Sequence, residues 1–279
     1  MSEYLMRDEA PLTEEEWHKL DDVVVNTARQ HLVGRQFIPV FGPFGVGMQT
    51  IYHDVFRGDT DTSLNMTGDA ETEPLGTGQR DYKRLPLLYK DFQIHWRDIE
   101  SSHQLGVPFD YSLAAASAYF VARAEDKLVF HGDEALAIPG LLNAPGRHTL
   151  KKDAWSQEGK LFADVVKATE VLGAEGFYGP YALVVSPKVY AWATRVYEST
   201  GVLEIDQIKR ICDGGVFRSE VLQDSEAVMV STGAHNMDLA VSQDLVTAYL
   251  DTENMNHLFR VFETLTLRIK RPGAICTFE

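Results

Sequence analysis

A run of more than 30 residues, from about Tyr52 to Arg84, is the feature that most constrains how this chain folds. It is rich in Asp, Thr and Gly, as in Gly58-Asp59-Thr60-Asp61-Thr62 and Gly76-Thr77-Gly78, and has no helical periodicity. Structureless loops longer than about 12–15 residues are uncommon inside a compact domain. The run is therefore either disordered or an extended arm that pairs with something beyond its own core. Alternation from Ser63 to Thr67 and from Tyr82 to Tyr89 favours a two-stranded arm. A two-stranded ribbon is marginal by itself in water, so such an arm implies a partner.

The rest of the chain is ordinary enough to give that arm a body. Its 279 residues, 44% of them hydrophobic, suffice for one or two compact domains. No stretch reaches the roughly 18–20 apolar residues of a membrane helix. Residues Met1 to Glu16 are acidic and contain Pro11, without the basic start and apolar block of a signal peptide. A cytoplasmic protein is expected, with no membrane partner. Cys212 and Cys276 lack metal or redox spacing and read as reduced thiols. A net charge of -15 repels phosphate backbones and argues against nucleic-acid binding.

Periodicity predicts a helix from about Leu12 to Val33. Thr13 and Glu16 have capping-box spacing, and Trp17, Leu20, Val24, Ala28 and Leu32 form one apolar face. A short strand, Gln36 to Phe41, follows. Leu85 to Glu100 reads as strand and turn. A second long helix runs from about Asp110 to His131, its expected buried face being Leu113, Ala116, Phe120, Ala124 and Leu128. From Pro139 to Leu222 helices and strands alternate: Leu161, Val165, Ala168 and Leu172 mark a helix, Tyr181 to Ser186 a strand, Ser186-Pro187 a capped helix start, and Glu204 to Cys212 another helix. Strands return at Val228–Ser231, Leu239–Val241 and Phe259–Lys270, where Glu263 breaks an otherwise apolar face, and Ala274-Ile275-Cys276 is the last apolar run.

No catalytic constellation emerges. The H-E-x-x-H, G-x-S-x-G and Walker A patterns are absent. The glycines at 42, 45 and 47 fit a tight turn and not a dinucleotide fingerprint. His95-Trp96-Arg97-Asp98 is the densest polar cluster, but on a strand His95 and Asp98 point to opposite faces. His131, near Asp133 and Glu134, fits a helix C-terminal histidine better than a metal ligand. No metal or cofactor is expected, and no enzymatic role.

Several ordered segments are similar to one known family. Leu32-Val33-Gly34-Arg35, then Phe37 and Phe41-Gly42-Pro43, resembles the N-terminal signature of the encapsulins. Leu85-Pro86-Leu87 leading to Trp96-Arg97-Asp98, and Glu125-Asp126 with Phe130-His131-Gly132 and Gly140-Leu141, fit in order. So do Gly179-Pro180-Tyr181 with Ser186, Asn236-Met237-Asp238-Leu239-Ala240, and Arg268-Ile269-Lys270. The resemblance spans nearly the whole chain. It implies an α+β fold of the HK97-like capsid type, with a peripheral domain, an axial domain and an extended loop. Residues 1–51 would be the N-terminal helix and start of the peripheral domain, 52–84 the extended loop, 85–138 the peripheral domain with the spine helix, 139–222 the axial domain, and 223–279 the last peripheral strands.

That resemblance implies a subunit that self-assembles into an icosahedral nanocompartment of 60 or a multiple of 60 copies. Such shells enclose a cargo enzyme through the cargo's C-terminal targeting peptide, the usual cargo being a ferritin-like iron-storage protein or a peroxidase. The peptide groove would involve Val24, Ala28, Arg35, Phe37, Ile38 and Leu239. Family members often carry an acidic residue two positions after the Phe37 equivalent; this chain has Pro39, which implies a different peptide. The five-fold pore loop would be Glu198, Ser199, Thr200, Gly201, Val202 and Leu203, although an ordinary turn fits those residues as well. Two other readings stay open: a major capsid protein of a tailed phage, which shares the fold, and a soluble α/β enzyme with an unrecognised site.

Overall fold

A computed structural model describes residues 3–57, 66, 67, 74, 76–197 and 201–279. The first half of the chain forms α1 (Glu14–His31), β1 (Val40–Phe41), β2 (Thr50–Arg57), β3 (Gly76–Arg84), β4 (Leu87–Ile94), α2 (Trp96–Leu105) and α3 (Ser112–His131). Short β5 (Gly132–Asp133), β6 (Ile138–Pro139) and β7 (His148–Leu150) lead to α4 (Lys160–Ala174), β8 (Tyr181–Val185) and α5 (Pro187–Ala193). Then come β9 (Val196–Tyr197), β10 (Val202–Leu203), α6 (Glu204–Ile211), β11 (Gly215–Arg218) and β12 (Ala227–Ser231). The chain finishes with β13 (Met237–Glu253), β14 (Asn256–Ile269) and β15 (Ile275–Phe278).

Two sheets organise these elements. The first has the order β1-β13-β14-β4, built on the long antiparallel hairpin of β13 and β14. Its apolar face carries α1 and α3: Trp17 meets Phe259 edge-on, Phe92 stacks on Phe259, and Leu20 and Val24 fill the space between. The capping box at Thr13 and Glu16 forms as its spacing predicts, both reciprocal bonds being present. The second sheet has the order β11-β8-β12-β15-β7. The expected face of α4, Leu161, Val165, Ala168 and Leu172, is buried in its core, and Ser186 caps α5. This sheet takes β12 and β15 from beyond Leu222, so its boundary does not fall where the expected axial segment ends.

Four elements differ from expectation, the first being β13, which runs over Met237–Glu253 where only Leu239–Val241 is expected. The strand expected at Gln36 to Phe41 is only Val40–Phe41, because Gly34–Gln36 coils into a 3-10 turn held from α3. Trp96–Leu105 is a helix, capped by the His95 ring, which accepts from the Arg97 amide, so the polar cluster is a helix start and not a strand. The face of α3 is rotated from the expected one. Ala114, Ala118, Val121 and Ala122 are buried against α1, whereas Leu113 and Phe120 are 56% and 48% exposed. Small side chains let two helices approach closely, and here size selects the buried face ahead of hydrophobicity.

The arm is present as β2 and β3, paired antiparallel from Thr50↔Arg84 to Arg57↔Gly76. Ile51 and Leu85 anchor its root, and Arg268 donates to the Tyr52 carbonyl. Beyond the root, Tyr52, Val55 and Tyr82 are exposed. The part of the expected alternation at residues 63–65 lies outside the described residues.

Candidate functional site

The groove residues expected from the sequence are placed as follows. Val24 and Ala28 lie beneath α1 against α3. Phe37 stacks on Phe217 with ring centroids 5.6 Å apart and sits near Phe130, while Ile38 and Leu239 are fully enclosed. These five apolar residues are core, not surface, because the 3-10 turn swings Phe37 and Ile38 inward onto the second sheet's cluster. A peptide in the subunit's accessible groove would not touch them directly. Of the six, Arg35 alone reaches the seam between α1 and the bulged stretch of β13.

Arg35 is the centre of a charge cluster. Its Nε and Nη2 donate to both oxygens of Glu125 at 2.7–3.0 Å, Nη2 also donates to Glu263 Oε2 at 2.7 Å, and Nη1 donates to Asp244 at 2.7 Å. The Glu125 and Glu263 side chains have no exposure; Asp244 is 57% exposed. Burial, with Glu125 beside it, raises the Glu263 carboxyl well above the usual range, and its Oε1 has no hydrogen-bond partner. Burial works against the Arg35 charge, but Glu125 and Glu263 outweigh it and raise its affinity for the proton. The same Arg35 contact outweighs burial at Asp244 and lowers its carboxyl.

Next to Glu125, Asp126 ties three segments together. Its carboxylate accepts from the Val33 and Gly34 amides at 2.9–3.1 Å and from Ser219 Oγ at 3.4 Å. Burial pushes this carboxyl up to about 7, against the backbone hydrogen bonds that favour its charged form. A side chain at Gly34 would meet Val129 at 3.3 Å and Asp126 at 3.4 Å, which explains glycine there. The cluster positions α1 against α3, both sheets and the Ser219 loop. Its carboxylates face Arg35 and the backbone amides of Val33 and Gly34. Sequence reading singled out Arg35 but missed Glu125, Asp126, Asp244 and Glu263 as its neighbours. Glu263 did leave a signal, as the one charge in an apolar alternation.

The expected pore loop becomes a hairpin. β9 and β10 pair antiparallel, Val202 opposite Tyr197, between α5 and α6, with Gly201 at positive φ. Glu198, Ser199 and Thr200 lie outside the described residues. His131 bonds the Val221 carbonyl, Asp133 accepts from the Leu136 amide, and among the described residues no group of His, Cys, Asp and Glu converges on a metal position. Among the described residues no helix is long and apolar enough to cross a membrane.

A family described as encapsulating protein for peroxidase matches residues 1–266. The type 1 encapsulin shell protein EncA of Myxococcus xanthus is 46% identical over 279 residues, covering all of this chain and 97% of that protein. The chain belongs to the encapsulin shell-protein family. Its architecture is similar to the virus-like particle of Pyrococcus furiosus, with a TM-score of 0.78 at 21% identity over 96% of this chain and 100% of that one. It is also similar to the capsid of the myovirus phage XM1, with a TM-score of 0.67 at 15% identity over 88% of this chain and 91% of that one. These likenesses show that the encapsulin chain has the capsid fold expected of it. Family membership decides for a shell subunit over a phage capsid protein.

Proposed function

We propose that this chain is the repeating unit of a closed cytoplasmic compartment of 60 or a multiple of 60 copies, which encloses a cargo protein through a C-terminal targeting peptide. The observation that carries this reading is the arm, whose Tyr52, Val55 and Tyr82 stay 45%, 46% and 65% exposed in their own subunit. Laid on a neighbour, such a ribbon gains burial that it lacks alone, and many weak contacts act together in a closed assembly. The chain itself is structural, and chemistry belongs to the cargo, a peroxidase or a ferritin-like iron-storage protein. The cargo peptide lies on the seam between α1 and β13, where Arg35 and Asp244 reach the surface and Val24, Ala28, Ile38 and Leu239 support the floor. The hairpin from β9 to β10 lines a pore at the five-fold axis, and the chain divides into peripheral, arm and axial parts as its elements alternate.

Expressed alone, the chain is expected to elute as a particle of about 1.9 MDa or more, sixty subunits of 31.3 kDa. Native mass spectrometry that finds only monomers or small oligomers refutes the reading.

A further inference from the structure

A groove of about 660 Å³ runs between α3 and residues 220–223. One wall is a stripe of α3, with Phe120, Arg123, Ala124 and Lys127 at helical steps of three and four. The opposite wall carries Val221 and Leu222. The His131 ring holds the two walls together, its Nε2 donating to the Val221 carbonyl at 2.8 Å. Phe120 is exposed on the first wall. Lys127 is exposed and, among the described residues, has no ion-pair partner; Arg123 meets Glu220 only at 3.7 Å, with both groups about half exposed. From β4, the Lys90 ammonium stands 5.9 Å from the centroid of the Phe120 ring. Three cations thus gather about one open aromatic ring, with Glu220 the carboxylate of the groove lining, in a chain whose net charge is -15.

We propose that this groove is a binding site for a small flat aromatic anion, a ring system that carries a sulfonate, phosphate or carboxylate group. The inference goes beyond the shell reading and stands without it. The groove's volume falls in the range of about 300–1,000 Å³ usual for small-molecule sites. An aromatic body stacks on Phe120 and covers apolar surface that the subunit leaves in water. Along the helix axis Arg123 lies about 4.5 Å beyond Phe120 and Lys127 about 10.5 Å. Both long side chains therefore reach an anionic group at the far end of a one- or two-ring ligand, and Lys90 closes the near end. Local positive charge on an acidic protein selects for the anion, and the exposed ring selects for the aromatic body. A bare inorganic anion gains nothing from Phe120, and a neutral ring leaves Arg123 and Lys127 unengaged, so each is expected to bind more weakly than the two chemistries joined.

The probe is naphthalene-2-sulfonate, titrated by calorimetry into the full-length chain in the assembly it forms. Lysine acetylation is then mapped by mass spectrometry with and without the probe. At about ten times its Kd the probe leaves about a tenth of the sites free, so acetylation of Lys127 is expected to slow about tenfold while that of the exposed Lys19 is unchanged. Sodium sulfate and the neutral naphthalene-2-sulfonamide are expected to protect Lys127 far less. Equal protection by sulfate reduces the groove to a simple anion site and overturns the inference, as does equal protection by the sulfonamide or none by the probe. Lys127 that stays unmodified without any probe is covered in the assembly, which also overturns it. Phe120→Ala and Lys127→Gln, both at exposed positions, are each expected to weaken probe binding about tenfold, a loss of about 1.4 kcal/mol. Unchanged affinity in either folded variant counts against the site, and if a variant does not fold, the protection pattern of the unaltered chain decides.

Discussion

Replacing Arg35 by Ala is the sharpest perturbation of this subunit. It removes the one cation shared by Glu125 and Glu263, both without any side-chain exposure. The contact with Asp244 contributes little, since that carboxylate is more than half exposed and water replaces the guanidinium. The buried pair is different. Removing one partner of a buried ion pair costs about 3–5 kcal/mol, because the remaining charge stays desolvated and uncompensated. Urea unfolding of dissociated subunits, followed by tryptophan fluorescence, measures the loss. Arg35→Lys is expected to recover little, since an ammonium cannot bridge two carboxylates as a planar guanidinium does. Adding Glu125→Gln and Glu263→Gln to Arg35→Ala is expected to recover most of the loss. A cost for Arg35→Ala of about 0–1 kcal/mol, the size of a surface pair, refutes the argument.

Asp126 makes stability depend on pH near neutrality. Its folded-state carboxyl lies at about 7 against an ordinary 3.8, so the folded state binds the extra proton between those values. That contribution is full at low pH and is lost as pH rises toward 7, up to about 4 kcal/mol for such a shift; Asp126→Asn should flatten the stability profile from pH 4 to 7, and an unchanged slope counts against this assignment. Phe37→Asp puts a carboxylate among Phe217 and Phe130 and is expected to send the chain to the insoluble fraction. Intact particles that have merely lost cargo would instead place Phe37 on the groove surface. Deleting residues 58–75 should leave soluble subunits that form few or no particles by electron microscopy, and normal shells from the truncated chain would show that the arm makes no interface.

Much of the fold is legible in local pattern. The capping box at Thr13, the face of α4 and the Ser186 cap are set by neighbours within four residues, and each forms as its spacing requires. The faces that misled are those where partner shape decides. α3 turns its alanines toward α1 and leaves Phe120 in solvent, a choice that hydrophobicity alone reverses. α2 was read as strand and turn because Ile99 is its one buried residue, which leaves almost no periodic signal. β13 runs 17 residues, but its pairing shifts around Gln243 break the alternation that marks a strand. The charge cluster was half legible: Arg35 stood out, whereas Glu125, Asp244 and Glu263 are 90, 209 and 228 positions away and meet it only through the tertiary fold.

The way the two sheets are threaded governs how the chain reaches its folded state. The chain makes β1 and β4 of the first sheet, crosses to the second for β7, β8, β11 and β12, returns for β13 and β14, and crosses again for β15. Neither sheet is complete until distant segments have met. Pairings such as Val40↔Leu239 and Cys276↔His148 close loops of well over a hundred residues. Such non-local closure makes folding slow and leaves no half that is stable when cut away. Heating a dissociated subunit should therefore produce one transition, and a polypeptide interrupted between β12 and β13 should recover its structure only when both pieces refold together.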